Sequence, residues 1–351
     1  MKKKCIFKTI NYISIPLFFT FGILASCSVH ESPDIEEEID KPLDSPADSS
    51  ERIPFVLYIS CETQPSIYEE INYATRMTEL TVDHDQRYIV NIYKSNDGEN
   101  FTNQADTTII YTKQIDDEQN HSIRLNLTQG FYDFIVWSDY VDKGTDNDKY
   151  YNTVNFAEIT YLDRENYEGC NILKDILYGT VRTTVAYDSY LTDDDIVEQE
   201  ATVYLERPLA KYKFISTDLI ELSDPVNFDN YQVVFYYTGF MPCSFNAFTN
   251  QPCNSWESIY FNGKITPLTE NEIELGFDYI FVSGEESKHN IAMEIYNKNG
   301  DLINNVVIEV PLARGKLTIV RGNFFTLKNN NNDIIINPDY DGDIIIQVVI
   351  S

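Results

Sequence analysis

The sequence predicts an all-β protein built of β-sandwiches, and three observations lead there. Short runs rich in Val, Ile, Thr, Tyr and Phe recur along the chain, with 25 Tyr and 20 Phe against 14 Gly. Such residues suit a pleated, half-buried surface. Hairpin-type turn signals separate them, among them Asn96-Asp97-Gly98, Asn299-Gly300 and Asp341-Gly342. No long apolar stripe with a 3.6-residue period is present. Successive short strands, hairpin turns and few helices make a sandwich.

The chain opens with a leader. Lys2, Lys3, Lys4 and Lys8 precede an apolar run from Ile13 to Leu24, which ends in Leu24-Ala25-Ser26-Cys27. A basic segment, an apolar core and small residues make a secretory signal. A cysteine at that point makes residues 1–26 a lipoprotein signal, cut between Ser26 and Cys27, with the lipid on Cys27. The apolar run is short for a membrane span, which needs about 20 residues. Residues 27–52 then read as an acidic tether, with nine Asp/Glu and Pro33, Pro42 and Pro46. Such segments stay extended and solvated. About 24 residues of this kind reach roughly 80 Å at ~3.3 Å each.

At about 100–200 residues per domain, the remainder suggests two domains. An N-terminal β-sandwich is expected over 53–190, with strands at 53–60, 88–94, 108–113, 122–127, 132–137 and 176–185. Residues 62–85 read as a long polar connection. An acidic linker over 191–200 contains Asp193-Asp194-Asp195. A C-terminal β-sandwich is expected over 201–351. Its strands are predicted at 201–206, 210–216, 231–238, 258–261, 279–283, 290–296, 305–310, 317–325, 333–336 and 343–350.

Charge and side-chain inventory exclude several functions. With 26 basic and 56 acidic residues, net −30, the chain repels nucleic acid and anionic lipid. Membrane attachment therefore falls to the lipid on Cys27. Of six cysteines, Cys61, Cys170, Cys243 and Cys253 remain beyond the leader and Cys27. They lack metal-ligand spacing, and only His30, His84, His121 and His289 could join them, so no metal or cofactor is expected. Cys243 and Cys253 flank a loop and could bridge in an oxidising compartment. Asn337 to Asp343 starts like a calcium loop, but Val348 stands where the closing glutamate belongs, so a hairpin is expected. Asp139, Asp142, Asp146 and Asp148 around Gly144 read as a solvated acidic turn, with calcium as the alternative. No nucleophile elbow or phosphate loop is present, and no enzyme is expected.

Three ordered motifs carry a resemblance. Leu127-Thr128-Gln129-Gly130-Phe131-Tyr132-Asp133-Phe134-Ile135-Val136-Trp137 resembles a strand entry of the fimbrillin-like lipoproteins of Bacteroidales, the clan of type V pilus anchors and subunits. Leu205-Glu206-Arg207-Pro208-Leu209-Ala210-Lys211 is similar to the opening of their second domain. Val310-Pro311-Leu312-Ala313-Arg314-Gly315-Lys316, with Thr318, Val320 and Gly322, resembles their closing strand pair. The resemblance implies two tandem transthyretin-like Greek-key sandwiches and a place in, or at the base of, a surface fibre. In polymerising members a trypsin-like protease cuts after an Arg in the first domain. The first strand leaves, and a strand of the next subunit replaces it. Anchors are not cut. Arg76, after the first strand, lies where such a cut would fall.

The expectation is thus an outer-membrane, surface-exposed lipoprotein that joins other fimbrial subunits by β-strand addition. Residues 53–60 would be the edge strand that is given up, with either Ile53, Phe55, Leu57 and Ile59 or Val56 and Tyr58 facing inward. The alternative is a glycan-binding lipoprotein of a nutrient-uptake system, with Trp137, Trp256 and tyrosines as a stacking platform. Cys27→Ala is expected to abolish lipidation. Fractionation of the variant as a fully mature outer-membrane protein would overturn the assignment.

Overall fold

A computed structural model describes residues 52–61, 83–114, 121–187, 197–218, 228–284, 286–326, 333–337 and 344–349. The first strands in chain order are β1 (Arg52–Cys61), β2 (His84–Ser95), β3 (Thr107–Lys113), β4 (His121–Thr128), β5 (Gly130–Asp142), β6 (Tyr151–Asn152), β7 (Ile159–Tyr161), β8 (Leu177–Val185) and β9 (Gln199–Leu205). One sheet has the order β4-β1-β9, the other β3-β2-β5-β8. Alternate residues of both fill one apolar cluster: Phe55 and Leu57 of β1, Val90 and Ile92 of β2, Phe134 and Val136 of β5, Val203 and Leu205 of β9.

Two expectations change here. β9 was expected to open the C-terminal domain, yet it pairs in parallel with β1 in the sheet β4-β1-β9. β1 was expected at a sheet edge, yet it lies between β4 and β9.

The later strands are β10 (Leu209–Ser216), β11 (Tyr231–Tyr237), β12 (Phe240–Pro242), β13 (Ser244–Asn246), β14 (Gln251–Pro252), β15 (Ser255–Glu257), β16 (Tyr260–Asn262), β17 (Thr266–Pro267), β18 (Ile273–Phe281), β19 (Ser287–Asn297), β20 (Leu302–Leu312), β21 (Leu317–Gly322), β22 (Asp333–Asn337) and β23 (Ile344–Val349). They form sheets of order β17-β18-β10-β21-β23-β22 and β16-β11-β19-β20. β22 and β23 pair antiparallel across the expected hairpin, whose residues 338–343 lie outside the described ones. Gly300 takes φ +82° in the β19–β20 turn, a conformation open to glycine and costly for most other residues.

A second, larger apolar cluster joins these sheets to the first half of the chain. It takes Ile89 and Tyr93 from β2, Ile135 and Trp137 from β5 and Tyr178 from β8. The sheet β3-β2-β5-β8 is therefore covered on both faces. That explains why β5 is buried continuously from Tyr132 to Asp139 rather than at alternate residues. β7 also pairs with β13, so chain on both sides of residues 191–200 contributes to one sheet.

Double burial brings charge inside. Arg87 of β2 lies opposite Asp139 of β5 and grips it with Nε on Oδ1 at 2.8 Å and Nη2 on Oδ2 at 2.6 Å. Its Nη1 reaches Asp148 Oδ1 at 2.9 Å and the Asp146 carbonyl at 2.6 Å. Trp137 Nε1 donates to Asp139 Oδ2 at 3.1 Å. The acidic turn expected to be solvated turns Asp139 and Asp148 onto a buried guanidinium, while the Asp142 and Asp146 carboxylates stay exposed. Burial pushes the Asp139 carboxyl above its ordinary range, against the pull of Arg87. Arg87→Met would leave that carboxyl buried without its cation. The expected cost is about 3–5 kcal/mol at neutral pH in urea denaturation. The variant should regain stability as pH falls through the raised folded value of Asp139, because the folded form takes the proton first. No further gain is expected below the unfolded carboxylate value of 3.8.

Candidate strand-exchange site

β1 reads Arg-Ile-Pro-Phe-Val-Leu-Tyr-Ile-Ser-Cys, a run of β-branched and aromatic residues suited to a strand. Ile53, Phe55, Leu57 and Ile59 are each no more than 2% exposed, and Tyr58 is 41% exposed. The first of the two faces considered for this strand is thus the inward one. Phe55 stacks on Phe134 with centroids 5.4 Å apart.

Backbone pairing is two-sided. Toward β4 the antiparallel register runs from Arg52↔Thr128 to Ile59↔His121. Toward β9 the parallel register runs from Phe55↔Gln199 to Cys61↔Leu205. Pro54 has no N–H and would break a ladder inside a sheet. It sits one residue before the β9 register begins, so no bond to that strand is lost.

Both walls of the slot are fixed by other contacts. β9 and β8 are joined by reciprocal bonds between Tyr178 and Glu206, each 2.9 Å. Gly179 makes that approach feasible, since a Cβ there would come within 2.4 Å of the Tyr204 carbonyl. β4 is tied to β5 by Tyr132, whose hydroxyl donates to the Thr128 carbonyl at 2.8 Å. Burying one side chain like Leu57 stabilises by roughly 1.5–3 kcal/mol. Four of them amount to roughly 6–12 kcal/mol, comparable with the whole net stability of a domain. An empty slot would be a strong acceptor for any extended segment with the same alternation.

The remaining site expectations resolve as follows. Ser26, Cys27 and Arg76 lie outside the described residues; Arg76 belongs to the chain between the end of β1 and the start of β2. Cys243 and Cys253 are free thiols. The hairpin register explains it, because Pro242 faces Ser255 and Phe245 faces Pro252. Cys243 therefore lies opposite Asn254, and Cys253 opposite Ser244, on the other side of the ribbon. One thiol is buried and the other exposed. Trp137 is fully buried and Trp256 packs edge-on against Tyr167, so the two form no exposed stacking platform. The strand of β9 was predicted at 201–206, but its pairing with β1 was not, since a parallel partner so distant leaves no local signal.

Residues 55–350 match a protein family of unknown function, DUF6562. The chain belongs to this family. No curated protein matches the sequence. The solved structures similar to this DUF6562 chain include fimbrial proteins and putative adhesins of Bacteroidales, the group its motifs resemble, and a putative polysaccharide binding protein of Bacteroides thetaiotaomicron. The fimbrial anchor protein Mfa2 of Porphyromonas gingivalis is 13% identical, with 72% of this chain and 82% of that chain covered and a TM-score of 0.41. A putative adhesin of Bacteroides thetaiotaomicron is 13% identical over 74% and 81%, TM-score 0.42. A fimbrial assembly protein of Parabacteroides distasonis is 11% identical over 77% and 90%, TM-score 0.39.

The face assignment of β1 is directly testable. Leu57→Ala is expected to cost about 2–5 kcal/mol in chemical denaturation. Tyr58→Ser, one residue along, should stay within about 0.5 kcal/mol of the parent. Equal effects would mean that the strand does not alternate as described.

Proposed function

We propose that the protein is a fimbria-like component of the cell surface, held by lipid on Cys27 to the outer membrane, that anchors or extends a fibre by strand pairing. The observation that carries this is the position of β1: an apolar, alternating N-terminal strand lying between two strands that are fixed independently of it. Its removal would open a slot lined on both sides by unpaired backbone groups and floored by empty apolar pockets. The ordered motifs around Gly130, Pro208 and Pro311 support the same reading. The two-sandwich organisation belongs to the proposal too, with β9 counted in the first sandwich.

A cut after Arg76 would detach β1 covalently while leaving β2 onward intact. In a fibre subunit that cut precedes strand exchange; in an anchor the chain stays whole and offers another surface.

The experiment compares the intact chain with a form lacking residues up to Arg76, each mixed with a second copy, with candidate fimbrial neighbours or with polysaccharide, and followed by light scattering. Ordered oligomers from the truncated form alone support a subunit. Capture of a fimbrial neighbour by the intact form supports an anchor. Monomers throughout, with polysaccharide bound by the intact form, would overturn the fimbrial proposal.

A further inference from the structure

Asp278 sits inside β18, fully buried, directly opposite Tyr212 of β10. Its Oδ2 accepts hydrogen bonds from the hydroxyls of Tyr167 and Tyr237, each at 2.8 Å, and Tyr212 donates to Tyr237 at 3.1 Å. Its Oδ1 has no hydrogen-bond partner. The group facing Oδ1 is the Lys174 ammonium, whose Nζ lies 3.8 Å away. Lys174 is itself only 4% exposed. It is carried inward by the 3-10 turn Ile172–Lys174, capped by Asn171, whose side chain accepts from the Leu173 N–H. The rings of Tyr167 and Tyr161 enclose it, with Nζ 3.5 and 5.3 Å from their centroids, and it donates to the Glu168 carbonyl.

This is an odd ion pair. Charge-assisted bonds normally close to under about 3 Å, and burying two charges without that contact is costly. Burial pushes the Asp278 carboxyl up and the Lys174 amine down, so both are driven toward their neutral forms. An amine and a carboxyl group both pressed toward neutrality in a buried aromatic box are the reactant pair of an amide condensation. Proximity supplies much of the barrier lowering, and desolvation activates the amine.

We propose that Lys174 and Asp278 join through an intramolecular isopeptide bond. The Nζ lone pair attacks Cγ of the protonated carboxyl. Charge gathers on Oδ2, where the Tyr167 and Tyr237 hydroxyls already donate. One amine proton passes to the Oδ1 hydroxyl, the Cγ–Oδ1 bond breaks, and Oδ1 leaves as water while Oδ2 returns to a carbonyl. One C–N bond forms, one water departs, and nothing is oxidised or reduced. The product ties the segment before β8 to the middle of β18. It stands independently of the fibre proposal.

Tryptic peptide mapping of the full-length chain tests it. An unlinked Lys174 is cleaved, giving linear peptides 165–174, 175–182 and 265–288. The bond blocks that cut and yields a branched species of 165–182 joined to 265–288, lighter than the two separate peptides by one water. The branched species is expected to dominate in the wild-type protein. Asp278→Asn should give the same branched species with ammonia as the leaving group, and Asp278→Ala only linear peptides. Dominant recovery of peptide 165–174 from the folded wild-type chain would overturn the proposal, whatever the variants do.

Discussion

The two-sided backbone pairing of β1 is the constraint on which the sheet β4-β1-β9 and its packing depend. β4 and β9 do not touch each other in the sheet order; β1 is the bond between them. Because β9 follows nearly all of the first half of the chain, β1 also closes that half into one unit. Its four inward side chains then fix the apolar floor supplied by β2 and β5. The same strand thus joins the two outer strands of its sheet and supplies one wall of the apolar cluster beneath it.

A second theme is charge placed inside a doubly covered sheet assembly. Arg87 and Asp139 face each other across β2 and β5 with forked geometry and further partners, so that pair is well satisfied. Lys174 and Asp278 are equally buried and much less well matched. Both pairs sit where chain segments distant in sequence meet, which suits groups that tolerate one arrangement only. The contrast between them is geometric: Arg87 grips its carboxylate in a two-bonded fork, whereas Lys174 stays 3.8 Å from Asp278 Oδ1.

What could be read from the sequence was local. The alternation along residues 53–59 left two candidate inward faces, of which the structure selects Ile53, Phe55, Leu57 and Ile59, and Asn299-Gly300 located the β19–β20 turn. β18 was recognised only from Tyr279 onward, because Glu274, Gly276 and Asp278 interrupt its apolar run, although all three are buried. The two- and three-residue strands β6, β7 and β12 to β17 are too short to show a period. Arg87 stood just outside the predicted strand at 88–94, and nothing local announced that its partner would be Asp139. The candidate slot was half visible: β1 and β9 could each be read as strands, and their parallel pairing could not.

The parallel pairing of β1 with β9 also carries a kinetic consequence. Phe55 meets Gln199, roughly 140 residues along the chain, and so distant a contact must close a long loop before any bond rewards it. Synthesis runs from the N-terminus, so β1 exists well before its partner does. The first strand to be made is among the last to be locked on both sides. The edge of β1 that faces β9 therefore stands unpaired for an interval set by topology, during every act of folding, before any protease or second subunit is involved.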